Sequence, residues 1–147
     1  MAQETRSGYR LFAQLKWQVA ANMIKEDQLD GTLGHSRDVW DAAKEEARRI
    51  LVKTARIPDV IEYGQLTREI HSIRFDPHGD DFRRFLGQLS WETDAAGRGM
   101  ITAIVVHKHD HRPGSGFFTL AADLGRDISD PDKCWSEEVA RVFRDFR

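Results

Sequence analysis

Apolar residues recur every three or four positions along residues 8–26, and this spacing is typical of an amphipathic α-helix. One face of the predicted helix carries Leu11, Phe12, Leu15, Val19 and Met23. The opposite face is apolar as well, since Trp17 and Ile24 fall there. We therefore expect residues 8–26 to form a helix that is buried on most sides.

A second helix is predicted to start at Ser36 or Asp38, either of which can cap it, and to run to about residue 56. Pro58 ends this helix because proline lacks a backbone donor and restricts the residue before it. The apolar face carries Trp40, Ala43, Ala47, Ile50, Leu51 and Thr54. The outward face carries a basic ridge formed by Arg49, Lys53 and Arg56.

Two further helices are predicted in the middle of the chain. Residues 64–71 have the pattern of a short helix, and the turn-forming residues 75–79 follow it. Asp80 or Asp81 can cap the next helix, which reaches about residue 91. Its buried stripe is expected to consist of Phe82, Phe85, Leu86 and Leu89.

The apolar run at residues 101–106 predicts a strand over residues 100–108, with alternate side chains on opposite faces. One face would carry Ile101, Ala103 and Val105. A turn at residues 110–116 separates this strand from a helix at residues 117–124, which Gly125 ends. Asp130 and Pro131 then open the last helix as its cap and its first residue.

A short helix, a second helix and a strand in this order predict a winged helix-turn-helix-like core. The 147 residues fit one domain, which we expect to be α+β and mostly helical, with long N-terminal helices. Three parts are expected: an N-terminal helical part at residues 1–57, the winged-helix-like core at residues 58–125, and a C-terminal helix at residues 126–147.

Composition and charge exclude several classes of protein. The single cysteine, Cys134, excludes an internal disulfide and a cysteine-rich zinc site. The N-terminus lacks the pattern of a signal peptide and no apolar run is long enough to span a bilayer, so we expect a cytoplasmic protein. The net charge of −2 does not favour nucleic-acid binding, although residues 44–74 and 97–112 each carry +2. Residues 75–96 between them carry two arginines against five acidic residues, a charge of −3.

Three short motifs follow one another at residues 61–66 (IEYGQL), 84–87 (RFLG) and 101–107 (ITAIVVH). On these motifs, the segment from residue 60 to about residue 124 resembles the DNA-binding domain of alkylguanine-DNA alkyltransferases and of the cysteine-less alkyltransferase-like proteins. Those proteins have a hydrophobic-x-Tyr-x-x-Leu segment that opens a helix, a recognition helix with Arg-x-x-Gly, and a strand with the pattern Ile-Pro-Cys-His-Arg-Val-Val. The resemblance implies a winged helix that binds DNA.

The segment departs from the family at the reactive position, where Ala103 replaces the alkyl-accepting cysteine. The adjacent histidine and arginine are also absent. Alkyl transfer needs a thiolate nucleophile, so we expect no transferase activity. The resemblance implies that Tyr63 lies near the DNA backbone and that Arg84 enters the space left by a rotated nucleotide.

A second resemblance rests on residues 63–66 (YGQL), 105–108 (VVHK) and 113–118 (PGSGFF). Small uncharacterised bacterial and prophage proteins share Tyr-Gly-x-Leu, Val-Val-x-Lys and Pro-Gly-x-Gly-Phe-Phe. This resemblance implies a bacterial or phage-related chain and no particular activity.

The helix at residues 80–91 has a possible readout face, because Arg84, Gln88 and Trp91 are spaced at i, i+4 and i+7. These residue types can hydrogen-bond to base edges and stack on bases. Alternatively, Trp91 packs on the N-terminal helices and Arg84 pairs with an acidic neighbour. The leading hypothesis is a non-enzymatic DNA-binding domain without a cofactor that uses Tyr63, Arg68, Arg84, Gln88, Lys108 and Arg112.

Two other hypotheses stay open. If the strand continues past residue 106, His107, His109 and His111 lie on one face and can bind zinc, as in a metal-dependent hydrolase. The same segment can instead form a basic wing tip that contacts phosphate, or a solvated hairpin. The chain can also be a protein-interaction or regulatory module of a bacterial or phage-related system that binds a protein partner through Trp91, Phe117 or the basic ridge.

Overall fold

The computed structural model describes residues 32–147, which form one mostly helical domain. This part of the chain contains α1 (Arg37–Arg56), β1 (Ile61–Glu62), α2 (Tyr63–Glu69), α3 (Asp80–Ala95), a 3-10 helix (Ile101–Ile104), β2 (Val105–Val106), α4 (Ser115–Asp123) and α5 (Pro131–Asp145). The mostly helical single domain is therefore confirmed, and the helix predicted over residues 8–26 lies outside the described residues. None of the described helices combines the length and apolar character needed to cross a membrane.

The helix boundaries follow local sequence signals. The side chain of Ser36 accepts a hydrogen bond from the first turn of α1, and the helix ends just before Pro58. Asp130 caps α5 in the same way, with Pro131 as the first helical residue. The predicted helices at these positions are confirmed. The helix predicted from residue 80 is confirmed as well, but its expected cap is wrong: Gly79 is the N-cap without a side-chain bond, and Asp80 and Asp81 lie inside the first turn.

The core joins α1 to α3 through an aromatic cluster. Trp40 meets the ring of Phe85 edge-on, with 5.2 Å between the ring centroids. Phe75 contacts Phe85 at 4.6 Å and Phe82 at 5.1 Å. The predicted stripe on α3 is confirmed, because Phe82, Phe85, Leu86 and Leu89 are all buried.

The strand predicted over residues 100–108 is wrong for most of its length. Ile101–Ile104 form a 3-10 helix, and only Val105–Val106 are extended and paired. All six side chains of residues 101–106 are buried, so the expected alternation of inward and outward side chains is absent.

Side chains take the place of a neighbouring strand in this segment. Four consecutive backbone N–H groups donate to side chains of α3 and α5 rather than to another strand. The pairs are Gly99 with Asp145 (2.8 Å), Met100 with Glu138 (2.7 Å), Ile101 with Thr93 (3.2 Å) and Thr102 with Ser90 (3.1 Å). We call these four N–H groups and their four acceptors the amide clamp.

The small sheet is parallel, with Ile61 opposite Val105 and Glu62 opposite Val106. A wing would require a hairpin of antiparallel strands, and residues 32–147 contain none. After β2 the chain makes a tight turn, in which the N–H of His111 donates to the carbonyl of His107 at 2.9 Å. The expected wing is therefore not found in the described part.

Candidate functional site

A cavity of about 560 Å³ lies between α3 and α4. Its apolar walls come from Phe82 and Leu86 on α3 and from Phe117 and Leu120 on α4. Thr102 of the 3-10 helix contributes a buried polar residue to the lining, and we refer to this end as the floor. The volume lies within the range of about 300–1,000 Å³ that is usual for small-ligand sites.

Parallel pairing of the two short strands places two rings side by side in the cavity wall. Glu62 and Val106 are in register, so the next residues, Tyr63 and His107, leave the sheet as neighbours. Their ring centroids are 4.7 Å apart with 33° between the ring planes. Burial raises the pKa of Tyr63, although the nearby Gly114 N–H and Arg83 oppose the shift.

Gly114, the residue before α4, fits closely against this ring pair. Its N–H donates to the Tyr63 hydroxyl at 3.0 Å. A Cβ at this position would lie 3.2 Å from Tyr63 Oη and 3.3 Å from His107 Nε2, so a side chain could enter only if the rings moved. The glycine therefore allows the start of α4 to approach the ring pair.

Two consecutive arginines of α3 line the cavity. The stem of Arg83 lies against Gly116, and its guanidinium is 3.5 Å from the exposed carboxylate of Asp80. Arg84 is exposed and forms no ion pair with any residue in the range 32–147. Asp123 also lines the cavity, so the positive charge is concentrated on the α3 side.

The histidines do not form the predicted cluster. Because the strand ends at Val106, the alternation that would align His107, His109 and His111 is lost, and His111 adopts a φ of +54° in the turn. His107 instead lies near His78 from the loop before α3, with 6.4 Å between ring centroids, and near His109 at 5.3 Å. Among residues 32–147, no group of three or more histidine, cysteine or acidic side chains is arranged to bind a metal ion.

The structure brings two of the six predicted DNA-binding residues, Tyr63 and Arg84, into the cavity lining. Arg68 lies at the other end of α2, beside a separate groove that also contains Arg74. Lys108 is exposed just after β2 and does not line the cavity.

Gln88 and Arg112 have structural partners. Gln88 accepts a hydrogen bond from the indole N–H of Trp40 at 2.9 Å, which links α3 to α1. Arg112 pairs with Asp132 and lies over the ring of Trp135, and these contacts hold the turn against α5. The predicted readout face on α3 is therefore divided, with Arg84 exposed and Gln88 engaged inside the fold.

Sequence reasoning missed Arg83, His78 and Thr102 in the cavity lining. The sequence signal for Arg83 is the pair of arginines at residues 83–84, of which the Arg-x-x-Gly motif includes only the second. No local signal connects His78 to His107, because they are far apart in sequence and meet only in the fold.

Ala103, which the resemblance aligns with the alkyl-accepting cysteine, does not line the cavity. It is buried, and its carbonyl accepts a hydrogen bond from Trp135 at 2.9 Å. Thr102 is the residue of this segment that lines the cavity. The only cysteine, Cys134, is buried on α5, where burial raises the pKa of its thiol. The cavity is therefore lined without a thiol.

Comparisons of the chain with protein-family models, with curated proteins and with solved structures find no match.

Proposed function

We propose that this chain is a non-enzymatic nucleic-acid-binding protein that contacts DNA through the face surrounding the cavity. The observation that carries the proposal is the pair of arginines on α3, Arg83 and Arg84, beside an apolar cavity that also contains the Tyr63–His107 ring pair. Arginine suits phosphate recognition because its planar group donates several hydrogen bonds and stays charged. Aromatic rings offer a stacking surface for a base.

The arrangement also fits a nucleotide that is rotated out of a duplex, although Tyr63 and Arg84 then have other roles than the resemblance implies: the Tyr63 ring offers a surface for the base, and Arg84 contacts the backbone. A nucleotide rotated out of a duplex needs a pocket that accepts a planar base and a cation near its backbone. The apolar cavity and the exposed Arg84 guanidinium meet these two needs on one face of the protein. The missing thiol supports binding rather than alkyl transfer.

The two helices in question do not form a standard helix-turn-helix. The two helices concerned, α2 and α3, are separated by residues 70–79, whereas a standard helix-turn-helix has a turn of about three to four residues. The proposal therefore depends on the cavity face of α3 and not on a wing.

Fluorescence anisotropy with labelled duplex and single-stranded DNA at low salt tests the proposal. We expect binding that weakens steeply with salt, because phosphate contacts release counterions. Arg84→Ala should weaken binding about tenfold and lower the salt slope by about one, without a change in the melting temperature. Arg49→Ala is the matched control, since Arg49 is an exposed helical arginine of the basic ridge on α1.

Two results would contradict the proposal. One is the absence of DNA binding by the wild type at high micromolar protein. The other is an equal loss of affinity in Arg84→Ala and Arg49→Ala, which would show that binding follows net charge or the basic ridge.

A protein-interaction module is supported by a different observation. The basic ridge is exposed on α1, and Ile57 directly after it is 67% exposed. Phe117 is buried in the cavity wall and Trp91 is half-buried, so neither offers a large free surface. If the ridge binds a partner, Ile57→Asp should abolish that complex and leave DNA affinity unchanged, whereas unchanged complex formation would remove this alternative.

A further inference from the structure

Thr102 at the floor of the cavity shares a hydrogen bond with Ser90, which lies behind it, and the donors and acceptors of these two hydroxyl groups can be assigned by counting. The Ser90 and Thr102 hydroxyls are hydrogen-bonded to each other, and Ser90 Oγ also accepts the Thr102 N–H at 3.1 Å. Ser90 is completely buried, whereas Thr102 is 8% exposed and lines the cavity. Each hydroxyl has one hydrogen to donate and two lone pairs that accept.

The direction of the bond between the two hydroxyls follows from the surroundings of Ser90. Among the described residues, Thr102 Oγ1 is the one acceptor within reach of the Ser90 hydrogen. If Thr102 were the donor, the Ser90 hydrogen would be left unpaired in a completely buried position, which is costly. Ser90 therefore donates to Thr102.

The hydroxyl hydrogen of Thr102 then has no acceptor among the described residues. Thr102 is 8% exposed, and the cavity is the open volume that it borders. The hydroxyl is consequently a hydrogen-bond donor that a bound group can satisfy.

We infer that Thr102 determines specificity in this cavity by donating a hydrogen bond to a base that presents a keto oxygen at the floor. The inference rests on the proposed DNA binding, and it specifies which chemical class of base the cavity prefers. An amino group could use the second lone pair of Thr102 Oγ1, but the Thr102 hydrogen would then stay unpaired. A site built around a buried donor discriminates against ligands that lack the matching acceptor.

The experiment compares duplexes that carry one unpaired thymine with duplexes that carry its isostere 2,4-difluorotoluene. The isostere keeps the shape of thymine and replaces its keto oxygens by fluorine, which accepts hydrogen bonds poorly. We expect the wild type to bind the thymine duplex about tenfold more tightly, the usual cost of leaving one buried donor unpaired. A fully paired duplex gives the affinity of the surrounding contacts.

Two variants connect the preference to the hydroxyl. Thr102→Val keeps the shape of the side chain and should abolish the preference, whereas Thr102→Ser should retain it. If thermal melting shows that Thr102→Val does not fold, the double variant S90A/T102V also removes the Ser90 hydroxyl hydrogen that Thr102→Val leaves unpaired, at the cost of the acceptor for the N–H of residue 102.

The outcomes separate this inference from the proposed function. Equal binding of all three duplexes by the wild type, or a preference that survives in Thr102→Val, overturns the role of Thr102 and leaves DNA binding intact. If the wild type binds none of the duplexes, the proposed function fails and the inference fails with it.

Discussion

Replacement of Glu138 by alanine is expected to destabilise the folded chain by about 3–5 kcal/mol. Glu138 is 4% exposed, and its carboxylate accepts three hydrogen bonds. Its donors are the N–H of Met100 at 2.7 Å and two guanidinium nitrogens of Arg126 at 3.0 and 3.1 Å. Alanine would leave a buried N–H unpaired and would leave Arg126 with Asp94 as its remaining acidic partner.

This loss is large compared with the total stability of a domain, which is about 5–15 kcal/mol. It corresponds to a fall in melting temperature of about 10–15 °C for a chain of this size. Urea unfolding followed by tryptophan fluorescence measures the loss directly, since the chain has four tryptophans. Glu137→Ala is the matched control: its side chain is 68% exposed, and we expect a change within about 0.5 kcal/mol.

Acidification provides a second test of the same carboxylate. Burial alone would raise the pKa of Glu138, but the Arg126 guanidinium and the Met100 N–H together hold it below its ordinary value. Its contribution to stability is therefore present at neutral pH and is lost as the pH falls through the lowered pKa of the folded state. The difference in stability between the wild type and Glu138→Gln should shrink over that acidic range. A loss below about 1 kcal/mol in Glu138→Ala, or a difference that does not change with pH, would refute the reasoning.

Three further predictions use the same unfolding assay. Ser36→Ala should cost about 1 kcal/mol because it removes the cap of α1, and an unchanged midpoint would contradict that role. Gly114→Ala should cost about 1–3 kcal/mol and weaken DNA binding, because a Cβ would displace the ring pair. Gly125→Ala is the control: residue 125 has a φ of +87°, so the alanine should lower stability, but its Cβ meets no neighbour and DNA affinity should stay unchanged. Burial raises the pKa of Tyr63, so the stability of the wild type should fall more steeply than that of Tyr63→Phe as the pH rises above the ordinary tyrosine value, and parallel curves would contradict this.

The parts of the fold that could be predicted are those specified by neighbouring residues. Ser36 and Asp130 cap their helices through bonds to the next turn, and Pro58 ends α1 by its own covalent structure. These signals act within a few positions of the chain. Within residues 32–147, they therefore predict the helices to within a few residues.

The segment at residues 101–106 could not be predicted in this way. Its apolar run fits a buried strand and a buried 3-10 helix equally well, since every side chain is inside in both cases. The segment is held by acceptors that lie elsewhere in the sequence: Thr93 and Ser90 on α3 bind the N–H groups of Ile101 and Thr102, and two acidic side chains of α5 bind the two N–H groups just before it. Tertiary hydrogen bonds thus override the local preference.

Only the part of the candidate site that lies in local motifs could be predicted from the sequence. Tyr63 and Arg84 belong to motifs that are visible in the sequence, and both line the cavity. The partners of Gln88 and Arg112 come from other helices, so their engagement could not be seen locally. Whether any of these residues contacts DNA stays a prediction that the Arg84 experiment tests.

The amide clamp has a consequence for dissecting this protein into smaller units. Two of its acceptors, Glu138 and Asp145, belong to α5, although α5 does not line the cavity. A fragment that ends at residue 125 would retain every lining residue and still lose the groups that hold the segment carrying Thr102. We therefore expect that the motif-bearing region at residues 58–125 does not fold on its own. Binding and cooperative unfolding should be lost together when the C-terminal helix is removed.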